Sequence, residues 1–249
     1  MPEIKKIKKV HQIFWDFKGD RTYQDFPEFK NFVDVTQNFC AEHGYRYKMW
    51  TKQNCNDLIE KEFPEHKQLW EDFRMDIQRC DFIRYCILYK YGGLYLDCDV
   101  KPLRNLDEIF KTNQYFIHWS DDKKKKPYNA IMFSKKKNPL FLEIINESKR
   151  SYYEKEKIKI YETWTGRFVF QTTGHTMLER VFKKSNVHKT SCIHDALYVF
   201  NSSKTYGTKQ NFVGNQNTSL FQDNNASVWY REINKKKPEK KLFTELTIL

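Results

Sequence analysis

Apolar residues switch between two spacings along the first hundred positions, and that switching constrains the fold more than any other feature of the chain. Val10 to Phe17 (VHQIFWDF) is a compact apolar and aromatic run with the length of a buried strand. Phe29, Phe32, Val33, Thr36 and Phe39 or Cys40 then recur at helical spacing. Gly44 sits where that helix would stop, before a short strand from Tyr45 to Trp50. Residues 54 to 63 form a short helical pattern stopped by Pro64, and a longer one runs from about Met75 to Tyr91, ended by Gly92-Gly93. Leu94 to Val100 alternates and is closed by Pro102, which reads as a strand.

Further on, Tyr115 to Ser120 and Ala130 to Ser134 read as strands joined across a Lys-rich hairpin or loop. Asn138-Pro139 supplies an N-cap and a first-turn proline for a helix with Leu140, Phe141, Ile144 and Ile145 inward. Thr173 to Lys184 reads as another helix. Strands alternating with helices imply an α/β sandwich with a mainly parallel sheet. No Gly/Ser-rich linker or internal repeat divides the chain, so one domain over residues 1–233 is expected, followed by a Lys-rich tail at 234–249.

Aromatic side chains carry much of the expected core, since 20 Phe, 15 Tyr and 6 Trp compensate for a hydrophobic share of only 39%. The six Cys show no C-x-x-C pair and fall at apolar positions, so they read as reduced core thiols. No apolar run approaches the roughly 20 residues that cross a bilayer, and the start lacks a secretory apolar segment. The expectation is a soluble, cytoplasmic protein of bacterial or viral type, with membrane-surface association left open. The net charge of +12 lies mostly in short Lys runs in expected loops and the tail. Without a nucleic-acid motif it reads as solvated surface, with a basic module for nucleic acid or an anionic surface as the alternative.

The chemistry concentrates in Asp81 to Asp99, DFIRYCILYKYGGLYLDCD. On a strand from Leu94, alternation sends Leu96, Cys98 and Val100 to one side and Tyr95, Asp97 and Asp99 to the other. Two carboxylates so placed repel unless a cation joins them, and Mn²⁺ or Mg²⁺ with oxygen ligands is the usual solution. Such an ion can hold a diphosphate, although two exposed acids at a strand end would look the same. Asp81 and Arg84 lie three apart on one helical face. They offer an acceptor and a donor fork for sugar hydroxyls, or else form a surface ion pair of no functional meaning. A metal-dependent nucleotidyl or phosphoryl transferase uses paired acids as well, though neither a P-loop nor a kinase-like Gly-rich motif is present.

The ordered string D-x-x-R-Y-x-x-L-x-x-x-G-G-x-Y-x-D-x-D, carried here by Asp81, Arg84, Tyr85, Leu88, Gly92, Gly93, Tyr95, Asp97 and Asp99, resembles the DXD sugar-binding region of glycosyltransferase family 32. Lys9-Val10-His11-Gln12-Ile13 resembles that family's opening strand, with Phe14 at its usual Trp and Trp15 next. Asn129-Ala-Ile-Met is similar to the segment that approaches the donor sugar. Thr173-Gly174-His175 stands where the family often has T-G-P, and Ser227-Val228-Trp229 resembles the S-x-W of related toxin domains.

The resemblance implies a glycosyltransferase A-type, Rossmann-like fold and a retaining transfer of hexose from a UDP- or GDP-sugar to a glycan, lipid-linked or protein acceptor. It assigns donor-sugar contacts to Asp81, Arg84 and Asn129. Nucleotide and diphosphate contacts fall to Phe14, Trp15, Tyr95, Asp97, Ser227 and Trp229. The Mn²⁺ or Mg²⁺ ligands come from Asp97, Asp99, Asp223, Asn224 and Ser227, and no catalytic nucleophile is implied.

Overall fold

The computed structural model describes residues 8–111, 114–118, 127–157, 165–185, 193–194, 199–201 and 221–223. The expected tail at 234–249 lies outside them. Strand β1 (Lys9–Ile13) is followed by helix α1 (Pro27–Glu42), β2 (Arg46–Trp50), α2 (Lys52–Glu62), α3 (Lys67–Asp72), α4 (Asp76–Tyr91), β3 (Gly93–Leu96) and β4 (Val100–Pro102). Next come α5 (Asp107–Lys111), β5 (Gln114–His118), β6 (Pro127–Ser134), α6 (Pro139–Lys155), α7 (Thr165–Thr172) and α8 (His175–Lys184). Three short strands follow: β7 (Ile193–His194), β8 (Val199–Asn201) and β9 (Phe221–Asp223).

The main sheet has the order β2-β1-β3-β6-β5-β7. The pairs β2/β1, β1/β3 and β5/β7 are parallel, while β6 runs antiparallel to both neighbours, β3 and β5. Reversing β6 alone leaves every other strand pointing one way, so the sheet is mainly parallel. Both its faces are covered, as parallel sheets require. Ile13, Tyr95 and Met132 point into one core with Leu58, Phe82, Ile87, Phe141 and Leu178 from α2, α4, α6 and α8. Val10, Leu94, Leu96, Ile131 and Phe133 point into the other, with Cys40 of α1, Ile109 of α5 and Phe221 of β9. The period-two side-chain alternation along β1, β3 and β6 divides these two cores.

Local chemistry sets several element ends. The Asn138 side chain accepts from the Leu140 N–H, and Pro139 opens α6, whose Leu140, Phe141, Ile144 and Ile145 are buried. At the end of α4, Gly92 and Gly93 have φ of 61° and 106°. A Cβ on Gly93 would meet the Lys9 carbonyl oxygen at 2.7 Å, so only glycine allows α4 to turn directly into the centre of the sheet.

Several sequence boundaries move: β6 starts at Pro127 instead of Ala130 and α2 at Lys52 instead of residue 54, and three further shifts have a local cause. The strand expected to Phe17 ends at Ile13, after which the chain leaves the sheet at the Phe14 N–H to Trp50 C=O hydrogen bond. The strand expected from Leu94 to Val100 is split: β3 stops at Leu96, the Val100 N–H closes a turn onto the Asp97 carbonyl, and β4 joins a second sheet of order β4-β9-β8. The helix expected from Thr173 starts at His175, because the Thr173 and Gly174 N–H groups both return to the Val169 carbonyl and close α7 first. The described cysteines, Cys40, Cys55, Cys80, Cys86 and Cys98, are buried thiols, and Cys192 lies outside the described residues. Among the described residues no helix is long and apolar enough to cross a membrane.

Candidate functional site

Helix α4 is buried on nearly every side, so the polar residues on it must find partners inside the protein. Asp81 and Arg84 are 5% and 4% exposed. Their contact is an internal ion pair, Nη2 to Oδ1 at 3.2 Å, rather than a surface pair. The Arg84 guanidinium reaches three further acceptors: the Cys80 carbonyl (3.1 Å), Asp97 Oδ1 (2.9 Å) and the Asn129 carbonyl (3.0 Å). Its carbon lies 4.8 Å from the centre of the Tyr95 ring.

Asp81 is held on both oxygens. Oδ1 accepts from Asn129 Nδ2 at 3.0 Å, and Oδ2 accepts from Thr173 Oγ1 at 3.1 Å. The Tyr85 hydroxyl closes the frame by accepting from Asn129 Nδ2 at 3.1 Å and donating to the Thr173 carbonyl at 2.7 Å. Burial pushes the Asp81 carboxyl up to about 6, partly opposed by Arg84 and by the Thr173 and Asn129 hydrogen bonds. Burial would lower Arg84, but Asp97, Tyr95 and Asp81 together hold it well above its ordinary value. The guanidinium is therefore a fixed cation joining helix α4, the start of β6 and the end of β3.

Asp97 begins the turn that follows β3. Its N–H donates to Ala130 C=O, and its Oδ1 takes the Tyr95 hydroxyl at 2.7 Å as well as Arg84. The carboxylate is 29% exposed, and among the described residues no hydrogen bond reaches its Oδ2. Cys98 is buried and donates its thiol to the Ile13 carbonyl at 3.1 Å, while Asp99 is partly buried. Beneath the turn, the buried Gln12 amide donates to the Asp97 and Val100 carbonyls. Tyr95 and Asp97 thus meet on one side, as alternation along the strand requires, and the turn that follows ends that alternation.

The remaining sequence-derived residues fall in three places. The Phe14 ring packs among Tyr23, Phe26 and Phe29. Trp15 is buried edge-on to Trp70, its Nε1 without a hydrogen-bond partner among the described residues. The Asp223 backbone pairs antiparallel with Val100, one residue past Asp99. Asn224, Ser227 and Trp229 lie outside the described residues. Sequence reasoning left Gln12, Tyr85 and Thr173 without roles. For Tyr85 the signal was present, since it follows Asp81 by four residues and so shares its helical face.

Asp81 and Asp97 share one guanidinium, and Asp99 follows two residues later, a carboxylate-rich setting that favours a cation. Oxygen donors select a hard ion, and Mg²⁺-like ions are commonly held by one or two carboxylates completed by substrate phosphates. Asp97, with its carboxylate part-exposed, and Asp99 suit that arrangement. Among the described residues no cluster of three or more His, Cys, Asp or Glu forms a complete metal cage, so further ligands would come from a bound phosphate or from other residues.

Residues 27–116 match the family model described as a glycosyltransferase sugar-binding region containing DXD motif. The chain is 30% identical over 167 residues to a mannosyl phosphorylinositol ceramide synthase of Saccharomyces cerevisiae, covering 66% of this chain and 41% of that protein. It is 40% identical over 65 residues to inositol phosphoceramide mannosyltransferase 3 of Schizosaccharomyces pombe, covering 26% of this chain and 18% of that one. The chain therefore spans less than half the length of either relative. Among solved structures, the PaToxG glycosyltransferase superposes with a TM-score of 0.50 at 15% identity, over 74% of this chain and 72% of that one. The fold is of the glycosyltransferase A type, and the DXD region read from the sequence is the one that the family model describes.

Proposed function

We propose that the chain is a retaining, metal-dependent glycosyltransferase that moves a hexose from a UDP- or GDP-sugar to an acceptor. The observation that carries this reading is Arg84, whose one guanidinium binds both Asp81 and Asp97. It couples a carboxylate suited to sugar hydroxyls to a carboxylate suited to a cation and diphosphate.

In this reading Asp97 and Asp99 hold the Mn²⁺ or Mg²⁺, which when bound neutralises charge on the departing diphosphate. The register that sets Asp223 beside Val100 supports Asp223, with Asn224 and Ser227 after it, as further ligands. Asp81, Arg84 and Asn129 orient the hexose. The Trp15 Nε1, buried without a hydrogen-bond partner among the described residues, supports a nucleotide contact there, because a buried donor left unpaired is costly until a ligand accepts from it. Phe14, Tyr95, Ser227 and Trp229 complete the nucleotide and diphosphate contacts. The transition state is oxocarbenium-like, so holding the leaving group beside the attacked face takes precedence over a protein nucleophile.

The names of the two curated relatives favour mannose as the hexose and an inositol-phosphate-bearing lipid as the first acceptor to try, with other glycan or protein acceptors as alternatives. A net charge of +12 suits a cytoplasmic enzyme working at an anionic membrane surface. The catalytic unit is proposed as residues 1–233, with 234–249 as its tail.

The test is a screen of UDP- and GDP-sugars, with and without Mn²⁺, for release of the nucleoside diphosphate by wild type, Asp97→Asn and Asp99→Asn. Metal-dependent release lost in both variants is expected. Turnover that survives both substitutions and chelation refutes the reading, and release of pyrophosphate instead would point to a nucleotidyl transferase.

A further inference from the structure

We propose that Gln12 is the positioning residue of the Asp97-Cys98-Asp99 turn, a role that rests on the reading of this turn as the cation and diphosphate site. Gln12 sits on β1, the strand between β2 and β3, and is fully buried. Its Nε2 donates to the Asp97 carbonyl at 3.1 Å and to the Val100 carbonyl at 3.3 Å, so a single amide spans the turn from its first residue to its last. The carbonyl end of the same amide accepts from the Tyr47 hydroxyl of β2 at 2.9 Å, which fixes which end faces the turn.

The turn needs such an anchor. Asp97 and Asp99 carry like charges two residues apart, and their repulsion, offset in part by the Asp97–Arg84 pair, favours opening the chain between them. The ladder cannot supply the restraint, because β3 ends at Leu96 and β4 belongs to the second sheet. Besides Gln12, the Asp97 end is tied by its N–H to the Ala130 carbonyl and by its carboxylate to Arg84 and Tyr95, while the Val100 N–H to Asp97 C=O bond and the Cys98 thiol to the Ile13 carbonyl hold the turn itself. Gln12 alone grips both ends from the rigid centre of the sheet. Its place on the face of β1 opposite Ile13 lets it do so without touching substrate or metal. The relay Tyr47–Gln12–turn therefore fixes where the two carboxylates point before any cation arrives.

The experiment titrates Mn²⁺ into the full chain in the presence of UDP or GDP, following free Mn²⁺ by electron paramagnetic resonance, and measures amide exchange at Val100 by NMR without metal. Gln12→Met, of similar length but unable to donate, is expected to weaken Mn²⁺ binding about tenfold or more, and to speed exchange of the Val100 N–H. Tyr47→Phe keeps the Gln12 donors but frees the amide to turn, so it should shift both readouts the same way by less, and it carries the test if Gln12→Met does not fold. A merely structural Gln12 would lower the melting temperature while leaving the Mn²⁺ dissociation constant at the wild-type value, and that result overturns the proposal. Mn²⁺ binding absent from the wild type itself refutes the functional reading instead. In that case unchanged Val100 exchange in Gln12→Met would also refute the anchoring, and faster exchange would uphold it.

Discussion

Protonation of His11 should destabilise the protein in mild acid, and the size of the effect follows from its surroundings. The ring is 4% exposed in β1. Nε2 lies 2.9 Å from the Gly92 carbonyl, and Nδ1 lies 3.3 Å from Trp50 Nε1, which donates to it. The neutral tautomer with its proton on Nε2 satisfies both neighbours, whereas a second proton on Nδ1 would face the indole N–H. Burial pushes the imidazole down to about 4, with the Gly92 bond opposing and Lys9 and Lys48 reinforcing the shift. Because the folded value lies below the unfolded one of 6.5, the unfolded chain binds more protons in between, and stability falls as pH drops through that window. A displacement of that size is worth about 3 kcal/mol in full, of which about 2 kcal/mol is lost between about pH 7.5 and about pH 5. His11→Gln keeps a donor for Gly92 and does not titrate. Urea unfolding of both proteins at the two pH values isolates the term, because Asp81, which titrates in the opposite sense, is common to both. The stability of wild type relative to His11→Gln should drop by about 2 kcal/mol on acidification. A difference that stays constant within about 0.5 kcal/mol refutes the reasoning, being within extrapolation error.

Arg84→Met leaves two carboxylates without their shared cation and should cost about 3 kcal/mol or more by chemical denaturation at neutral pH. Part of that loss should be recovered in mild acid, as Asp81, already raised to about 6, becomes protonated. Gly93→Ala forces a Cβ to 2.7 Å from the Lys9 carbonyl at a φ of 106°. It should destabilise by about 2 kcal/mol or more, seen as a lower melting temperature. Asn138→Ala removes the cap of α6 and should cost about 1 kcal/mol without affecting Mn²⁺ binding.

What the sequence disclosed was whatever local chemistry decides. Asn138-Pro139 with Leu140, Phe141, Ile144 and Ile145 specified α6, because a cap and a period act within one helix. Gly92-Gly93 marked the end of α4, because their positive φ angles are a backbone property. Alternation correctly put Tyr95 and Asp97 on one side. Depth was not legible: a helix buried all round has no single apolar stripe, so Asp81 and Arg84 could be read as exposed groups or a surface pair when they are internal. The break after Leu96 was hidden for another reason. It is held by Gln12, some 85 residues earlier in the chain, and no local pattern reports a partner at that distance. The start of α8 moved because Thr173, helical by spacing, instead ends α7 and turns its hydroxyl to Asp81.

The turn at Asp97–Val100 is also a hinge pin between two frames. On one side it is fastened to the main sheet through Ala130 and Gln12, and on the other it runs straight into β4, to which β9 is laced at Val100. Any displacement of β9 is therefore delivered one residue from Asp99. The small second sheet is thus joined to the main one through the pair of aspartates.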